Sequence, residues 1–292
     1  MTEYILYVAG LAAIYAVLAL SLDVLVGQLG LMSLAQAAFF GIGAYATAAM
    51  VNSLGANMVT ALAVSVFAGV ACSLFVSIPA LRLRGDYFVI AAFAFQLVTF
   101  SIFNNFVELT GGPLGMSVNS QGTGIGNPTV SHLVFLATAA TTIMAGIAIL
   151  WTVRASRFGR LFRAIRDDEI LANSLGKNTA LVKTCALALS AAIAAAMGSI
   201  YALYLQFIDP SSFSVFESVL ILAMVLLWKP ATAWGPIAGA VSLIALTELL
   251  RFTSITTAES ANLRQIVFGV VLIVVVFVRG RLIFRAGAGT AG

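Results

Sequence analysis

Chemistry needs nucleophiles, titratable groups or metal ligands held close together, and this sequence supplies few. His132 is its single histidine, and its two cysteines, Cys72 and Cys185, each sit inside an apolar run. That pattern supports neither a metal site nor a disulfide framework. No His-Glu-x-x-His, Cys-x-x-Cys or Gly-x-Ser-x-Gly element occurs, and no Gly-x4-Gly-Lys-Ser/Thr loop is present to cradle ATP phosphates. The chain is therefore expected to be no enzyme, with no catalytic residue, no metal and no cofactor of its own. His132 opens an apolar run and is expected at its interfacial end.

The remaining polar candidates lie within apolar stretches. Asp23, Glu217 and Glu248 are the acids there, and Glu248 precedes Arg251 by three residues, a spacing that lets the two pair on one helix face. Each has two readings: a helix-end residue reaching the interface, or an ion-coupling group. The segment 27–50, GQLGLMSLAQAAFFGIGAYATAAM, is more distinctive. Its small residues Gly41, Ala44 and Ala48 let neighbouring helices approach closely. Its Ser33 and Gln36 offer hydrogen bonds inside a bundle, so they line a solute pathway, with Phe39 and Phe40 beside them, or act as structural bonds.

The elements that position these residues follow from composition. Of 292 residues 61% are hydrophobic and only 9% charged, with a mean hydropathy of +1.07. Ordinary globular chains run near a quarter charged because their surface meets water. A chain this poor in charge faces lipid. The net charge of +4, carried in short clusters between apolar runs, gives no support for nucleic acid as a partner. Span-length windows fall at 4–26, 31–50, 58–81, 87–103, 133–153, 180–205, 216–228, 234–250 and 263–278. The expectation is an all-α polytopic bundle of about eight to nine spans. The stretch 216–228 is too short for a full crossing unless tilted or partly re-entrant. The first window lacks a basic leader and a small-residue cleavage site, and is read as a retained span.

With a cytoplasmic C-terminus and single crossings, every Lys and Arg except Arg251 and Arg264 falls on one side. The opposite side collects Glu3, Glu108, Asp209 and Glu259. That asymmetry predicts a multi-pass membrane protein with its basic loops on the cytoplasmic side. The largest such loop is 154–178, RASRFGRLFRAIRDDEILANSLGKN. Phe158, Leu161, Phe162, Ile165, Ile170, Leu171 and Leu175 recur at helical spacing, predicting one or two short amphipathic helices. Such helices lie against lipid headgroups or against a protein, and the acidic centre Asp167, Asp168 and Glu169 favours protein. The Gly- and Pro-rich stretch 104–130 is an exposed loop or a re-entrant segment.

Several stretches then carry a resemblance: GQLGLMSLAQAAFFGIGAY at 27–45, LRLRGDYFVIAAFAFQ at 81–96, LTGGPLGM at 109–116 and FRAIRDDEILANSLGKN at 162–178. SFSVFESVLILAMV at 212–225, WGPIAGA at 234–240 and ELLR at 248–251 follow in order. Together the chain resembles the branched-chain amino acid ABC transporter permeases, the LivH/LivM family, and its LivM-type half. The resemblance implies that 1–292 forms a single transmembrane permease domain with a cytoplasmic coupling loop at 154–178. It implies membrane lipid around the chain and, as partners, a second permease, two cytoplasmic ATPase subunits that bind ATP, and an extracytoplasmic solute-binding protein. It implies that Arg166, Asp167, Asp168, Glu169, Ala172 and Gly176 couple to the ATPase, the last two through a family Ala-x-x-x-Gly pattern. The implied cargo is branched-chain amino acids; alternatives are urea, amides or small aromatic carboxylates on the same machine, or a stand-alone secondary transporter. Two departures stand out. Trp228, Lys229 and Pro230 replace glycines of the family turn, and Ile170 and Leu171 stand where a Glu-Ala pair is common.

Overall fold

A computed structural model describes residues 2–80, 86–118, 128–228, 230–232, 234–252 and 269–270. Helix α1, Thr2–Asp23, runs on through a π-turn, Val24–Gln28, before the chain leaves helical geometry. Gly30 takes a left-handed φ of 75°, and the Leu31 N–H closes the turn on the Leu25 carbonyl at 2.9 Å. Helix α2, Gln36–Leu54, therefore starts five residues later than its hydropathy suggests. Helices α3, Met58–Ala80, and α4, Asp86–Asn105, follow. After the short α5, Val107–Thr110, come α6, Pro128–Ala155, then α7, Arg157–Asp167, and α8, Glu169–Ser174. Helices α9, Thr179–Leu205, α10, Val215–Leu227, and α11, Gly235–Phe252, complete the described bundle.

Among the described residues, five helices are long and apolar enough to cross a membrane: Leu6–Gln28, Gln36–Leu54, Met58–Ser77, Tyr87–Asn105 and Thr179–Leu205. Three shorter apolar helices join them, Met144–Ala155, Val215–Leu227 and Gly235–Glu248. The window 263–278 lies outside the described residues except for 269–270, as do Arg82, Arg84, Lys229, Arg264, Arg279, Arg281, Arg285 and the side chains of His132 and Arg251.

Helix α2 sits at the centre of the bundle, packing on α9, α3, α4 and α10. Close approach is possible because the contact faces carry no Cβ where the backbones meet. A methyl on Gly43 would lie 2.1 Å from the Ala195 carbonyl, and one on Gly198 would lie 2.0 Å from that of Phe40. Ser65 of α3 bridges both partners, donating to the Gly43 carbonyl at 2.9 Å and the Ala195 carbonyl at 3.3 Å. The outer faces of α3 and α4 instead present Phe67, Phe75, Tyr87 and Ile90. An apolar outer face is what lipid or a membrane partner requires.

The connection that dips into the bundle is 206–214. A 3-10 turn, Pro210–Phe213, carries Phe213 fully buried among Phe40, Tyr45, Phe103 and Tyr201. Helix α10 therefore begins inside the bundle and has only 13 residues. At 1.5 Å per residue it is about 20 Å long, short of a bilayer core of about 30 Å. In the 104–130 stretch, by contrast, residues 106–118 fold as a small cap on α4, 128–130 open α6, and 119–127 lie outside the described residues. In the cap, strand β1, Met116–Ser117, pairs antiparallel with β2, Phe207–Ile208, and Leu114 stands exposed.

Candidate functional site

Two helix ends inside an apolar bundle leave backbone groups that must find partners, because lipid supplies none. At the start of α2 the Ala37 N–H donates to Ser218 Oγ at 2.9 Å and the Ala38 N–H donates to Gln96 Oε1 at 2.7 Å. Gln96 also takes a bond from Ser218 Oγ at 3.1 Å and returns one from Nε2 to the Phe213 carbonyl at 2.8 Å. One buried amide thus closes both broken ends, that of α2 and that of the turn preceding α10. Beside it Gln36 Nε2 donates to Ser21 Oγ at 2.6 Å. Ser190 Oγ donates to the Ser21 carbonyl at 2.9 Å and reaches Gln36 Oε1 at 3.3 Å. This seam joins α1, α2, α4, α9 and α10.

The four expected pathway residues lie within the subunit. Ser33 accepts from the Ala35 N–H at 3.3 Å, Gln36 is held as above, Phe39 packs tilted on Phe95 with ring centroids 5.3 Å apart, and Phe40 meets Tyr201 edge-on at 5.0 Å. All four are essentially solvent-free. Gln96, Ser218, Ser21 and Ser190 escaped the sequence reading, although polar side chains within apolar spans are a usable signal for inward-facing groups.

A second polar cluster sits where α1 ends. Asp23, read from sequence as an interfacial or ion-coupling acid, is instead fully buried and paired. Its Oδ2 receives Arg154 Nη2 at 2.5 Å and its Oδ1 receives the Ala231 N–H at 2.8 Å. Ala231, in the departed Gly-rich turn, holds a left-handed φ of 62° to make that bond. Gly27 is needed here, since a methyl would lie 2.2 Å from Asp23 Oδ1 and 2.5 Å from the Ala231 nitrogen. The Gly27 carbonyl accepts from Arg166 Nη1 of α7, whose Cγ would lie 3.0 Å from a methyl on Gly30. Among the described residues, Arg154 Nε and Nη1 and the buried Gln28 amide have no hydrogen-bond partner.

Arg166 thereby ties the 154–178 loop to the break between α1 and α2. The loop folds as the two short helices its spacing predicts, each started by a side-chain cap. Ser156 Oγ accepts from the Phe158 N–H at 3.1 Å, and Asp168 Oδ1 accepts from the Leu171 N–H at 2.9 Å. Glu169 pairs with Lys183 at 2.5 Å, while Asp167 is exposed. Of the seven apolar positions, Phe162 and Ile165 turn inward and Leu161 is half-buried; Phe158, Ile170, Leu171 and Leu175 remain exposed. Ala172 is buried within the chain at 5% exposure, so of the Ala172/Gly176 pair only Gly176 faces outward. Gly176 holds φ at 76° with no atom near enough to meet an added Cβ.

Fold and site together define a polytopic α-helical membrane protein built around broken, internally sealed helices. A family model for the branched-chain amino acid transport system permease component matches residues 4–276, and the chain belongs to that family. It is similar to the high-affinity branched-chain amino acid transport system permease protein LivM of Escherichia coli (strain K12), 30% identical over 268 residues. It is also similar to the protein of the same description in Salmonella typhimurium (strain LT2), 31% identical over 268 residues. Each alignment covers 84% of this chain and 63% of the relative's length. No solved structure gives a significant match.

Proposed function

We propose that the chain is the membrane-spanning permease subunit of an ATP-driven importer of the bacterial cytoplasmic membrane, carrying branched-chain amino acids. On this reading it pairs with a second permease and two cytoplasmic ATPase subunits, receives solute from an extracytoplasmic binding protein, and leaves ATP to its partners. The observation that carries it is the 154–178 loop. Its exposed Ile170, Leu171 and Leu175 call for a protein cover, and its Arg166 is bonded to the backbone where α1 breaks. A push on the loop is thereby delivered to the helices of the pathway. Asp168 and Glu169 support this by holding α8 in place, through its cap and through Lys183. Asp167 and Gly176 supply charge and a close-approach point on the exposed side. In this conformation Ser33, Gln36, Phe39 and Phe40 are closed off, so solute meets them only when α2 shifts against α9.

The test is Gly176→Trp. The site has room for the side chain within the subunit, although its positive φ strains any residue but glycine. The variant is expected to insert in the membrane but to lose the ATPase subunits on purification, or to keep them without uptake. Normal ATPase retention together with normal ATP-dependent uptake would return the loop to a lipid-facing role.

A further inference from the structure

Between α9 and α10 the chain passes from surface to core within one short connection: Phe207 is half exposed and Phe213 fully buried. Such a descent needs room, and Gly41 of α2 supplies it. A methyl there would lie 2.5 Å from the Phe103 ring and 2.8 Å from that of Phe213. The Phe213 ring centroid comes to 5.3 Å from that of Phe40, a residue expected to line the pathway. The segment 206–214 follows the end of α9 remote from the 154–178 loop, so the ring closes the bundle from the face opposite that loop.

The ring is densely packed, but the segment that carries it is lightly held. Its inner end is fixed, since the Phe213 carbonyl accepts from Gln96 Nε2 at 2.8 Å. Its outer end hangs on strand β2, which pairs with β1 through Met116↔Ile208 and Ser117↔Phe207, and on the Val118 N–H, which donates to the Gln206 carbonyl at 2.8 Å. A strand pair this short has little stability of its own. Gln206 adds strain, holding a left-handed φ of 56° without being glycine. Between the two ends Asp209 accepts from both Ser211 and Ser212, so the turn Pro210–Phe213 is bonded within itself and moves as a unit. A compact turn with a fixed inner hinge and a weak outer catch is built like a lid, and lids are drawn from the least stable parts of a fold.

We propose that 206–214 is a strap whose Phe213 ring plugs the pathway on the face opposite the 154–178 loop, with the β1–β2 pair as its latch. Parting the strands lets the strap swing on the Gln96 bond and withdraws the ring from Phe40. The import reading is needed only to name what passes the opening; the strap stands on its own geometry.

The test is a removable lock on the latch. Positions 117 and 207 face each other beside the hydrogen-bonded pair of Val118 and Gln206, so they form a non-hydrogen-bonded pair with Cα atoms about 4.5 Å apart, within disulfide range. Ser117→Cys/Phe207→Cys is made in the full chain with Cys72→Ala and Cys185→Ala, and Ser33→Cys is added as reporter. Ser33 is fully buried and precedes α2, so it lies beyond the ring from the strap's face. In spheroplasts an impermeant maleimide added outside, read at position 33 by peptide mass spectrometry, is expected to react at least tenfold more slowly with the lock oxidised than reduced. Phe213→Ala removes the ring but leaves the latch, and is expected to speed that labelling at least tenfold even with the lock closed; Phe213→Leu, which refills most of the space, should restore shielding. Equal labelling in locked and released protein, or no gain with Phe213→Ala, overturns the strap and leaves Phe213 an ordinary core residue. ATP-dependent uptake, measured on the same lock without the reporter, is expected to fall at least tenfold on oxidation and to return with reductant. Should the released protein show no ATP-dependent uptake while the lock still governs labelling, the import reading fails and the strap stands.

Discussion

The two polar clusters of the bundle meet on helix α1, at Ser21 and Asp23, yet are built on opposite terms. Around Gln96 the polar groups that meet are bonded to one another: Ser218, the start of α2 and the Phe213 carbonyl all find partners, with Gln36, Ser21 and Ser190 bonded beside them. Around Asp23 the acid is well served, but Arg154 uses one of its nitrogens and leaves Nε and Nη1 without hydrogen bonds among the described residues, as does the Gln28 amide. A satisfied buried network rigidifies, whereas each unsatisfied buried group costs about 1–3 kcal/mol and favours any rearrangement that supplies a partner. The seam is therefore an anchor and the Asp23 cluster a joint. The joint is also the one that carries Arg166 of the loop.

The largest effect should come from the anchor. Gln96→Leu removes the acceptor of the Ala38 N–H and the donor to the Phe213 carbonyl, stranding two buried backbone groups. At about 1–3 kcal/mol for each, the expected loss is roughly 2–6 kcal/mol, read as a fall in the detergent unfolding midpoint. A variant as stable as the parent would mean that the two helix breaks are sealed by something else, and the distinction between anchor and joint would collapse.

The joint should respond differently. Asp23→Asn combined with Arg154→Met keeps an acceptor for the Ala231 N–H while removing a guanidinium that is only partly bonded. Replacing a buried ion pair by a neutral one is often nearly neutral for stability, so a change within about 1 kcal/mol is expected. Uptake is expected to fall at least tenfold, because the loop then pushes on a joint without its pin. A stability loss as large as that of Gln96→Leu would make the Asp23 cluster a second anchor.

The legible part of this molecule is the part set by solvent. Apolar runs of span length marked the helices, and apolar positions recurring at helical spacing marked α7 and α8, because burial in lipid or against a bundle acts on every residue of an element. The short α10 was legible too, as the run 216–228, but the late start of α2 was harder to read. That start is fixed by two tertiary bonds, to Gln96 and Ser218, residues 58 and 181 positions from their α2 partners. Asp23 misled for the same reason. Its partner Arg154 is 131 residues away, and nothing local distinguishes a buried paired carboxylate from one at an interface. In the loop, periodicity predicted the helices but not which apolar residues turn outward. Ala172 and Leu171 are adjacent, yet the first is buried and the second exposed.

That exposed face gives the smallest expected effect on the fold. Leu171→Ser with Leu175→Ser alters side chains that are 57% and 71% exposed, remote from either polar cluster, and leaves the Asp168 cap and the Lys177 N–H bond to the Ala172 carbonyl intact. Surface substitutions of this kind stay within about 0.5 kcal/mol, so the unfolding midpoint of the permease should not move. Association is another matter, since apolar anchors at the centre of an interface carry much of its energy and truncating one costs about 2 kcal/mol or more. Loss of both is expected to lower ATPase retention at least tenfold while the permease remains folded. Gln96→Leu would do the reverse, weakening the fold without touching the docking face. If the double serine variant destabilised the isolated permease, Leu171 and Leu175 would be packed against their own subunit or its lipid, and the loop would belong to the bundle rather than to a partner.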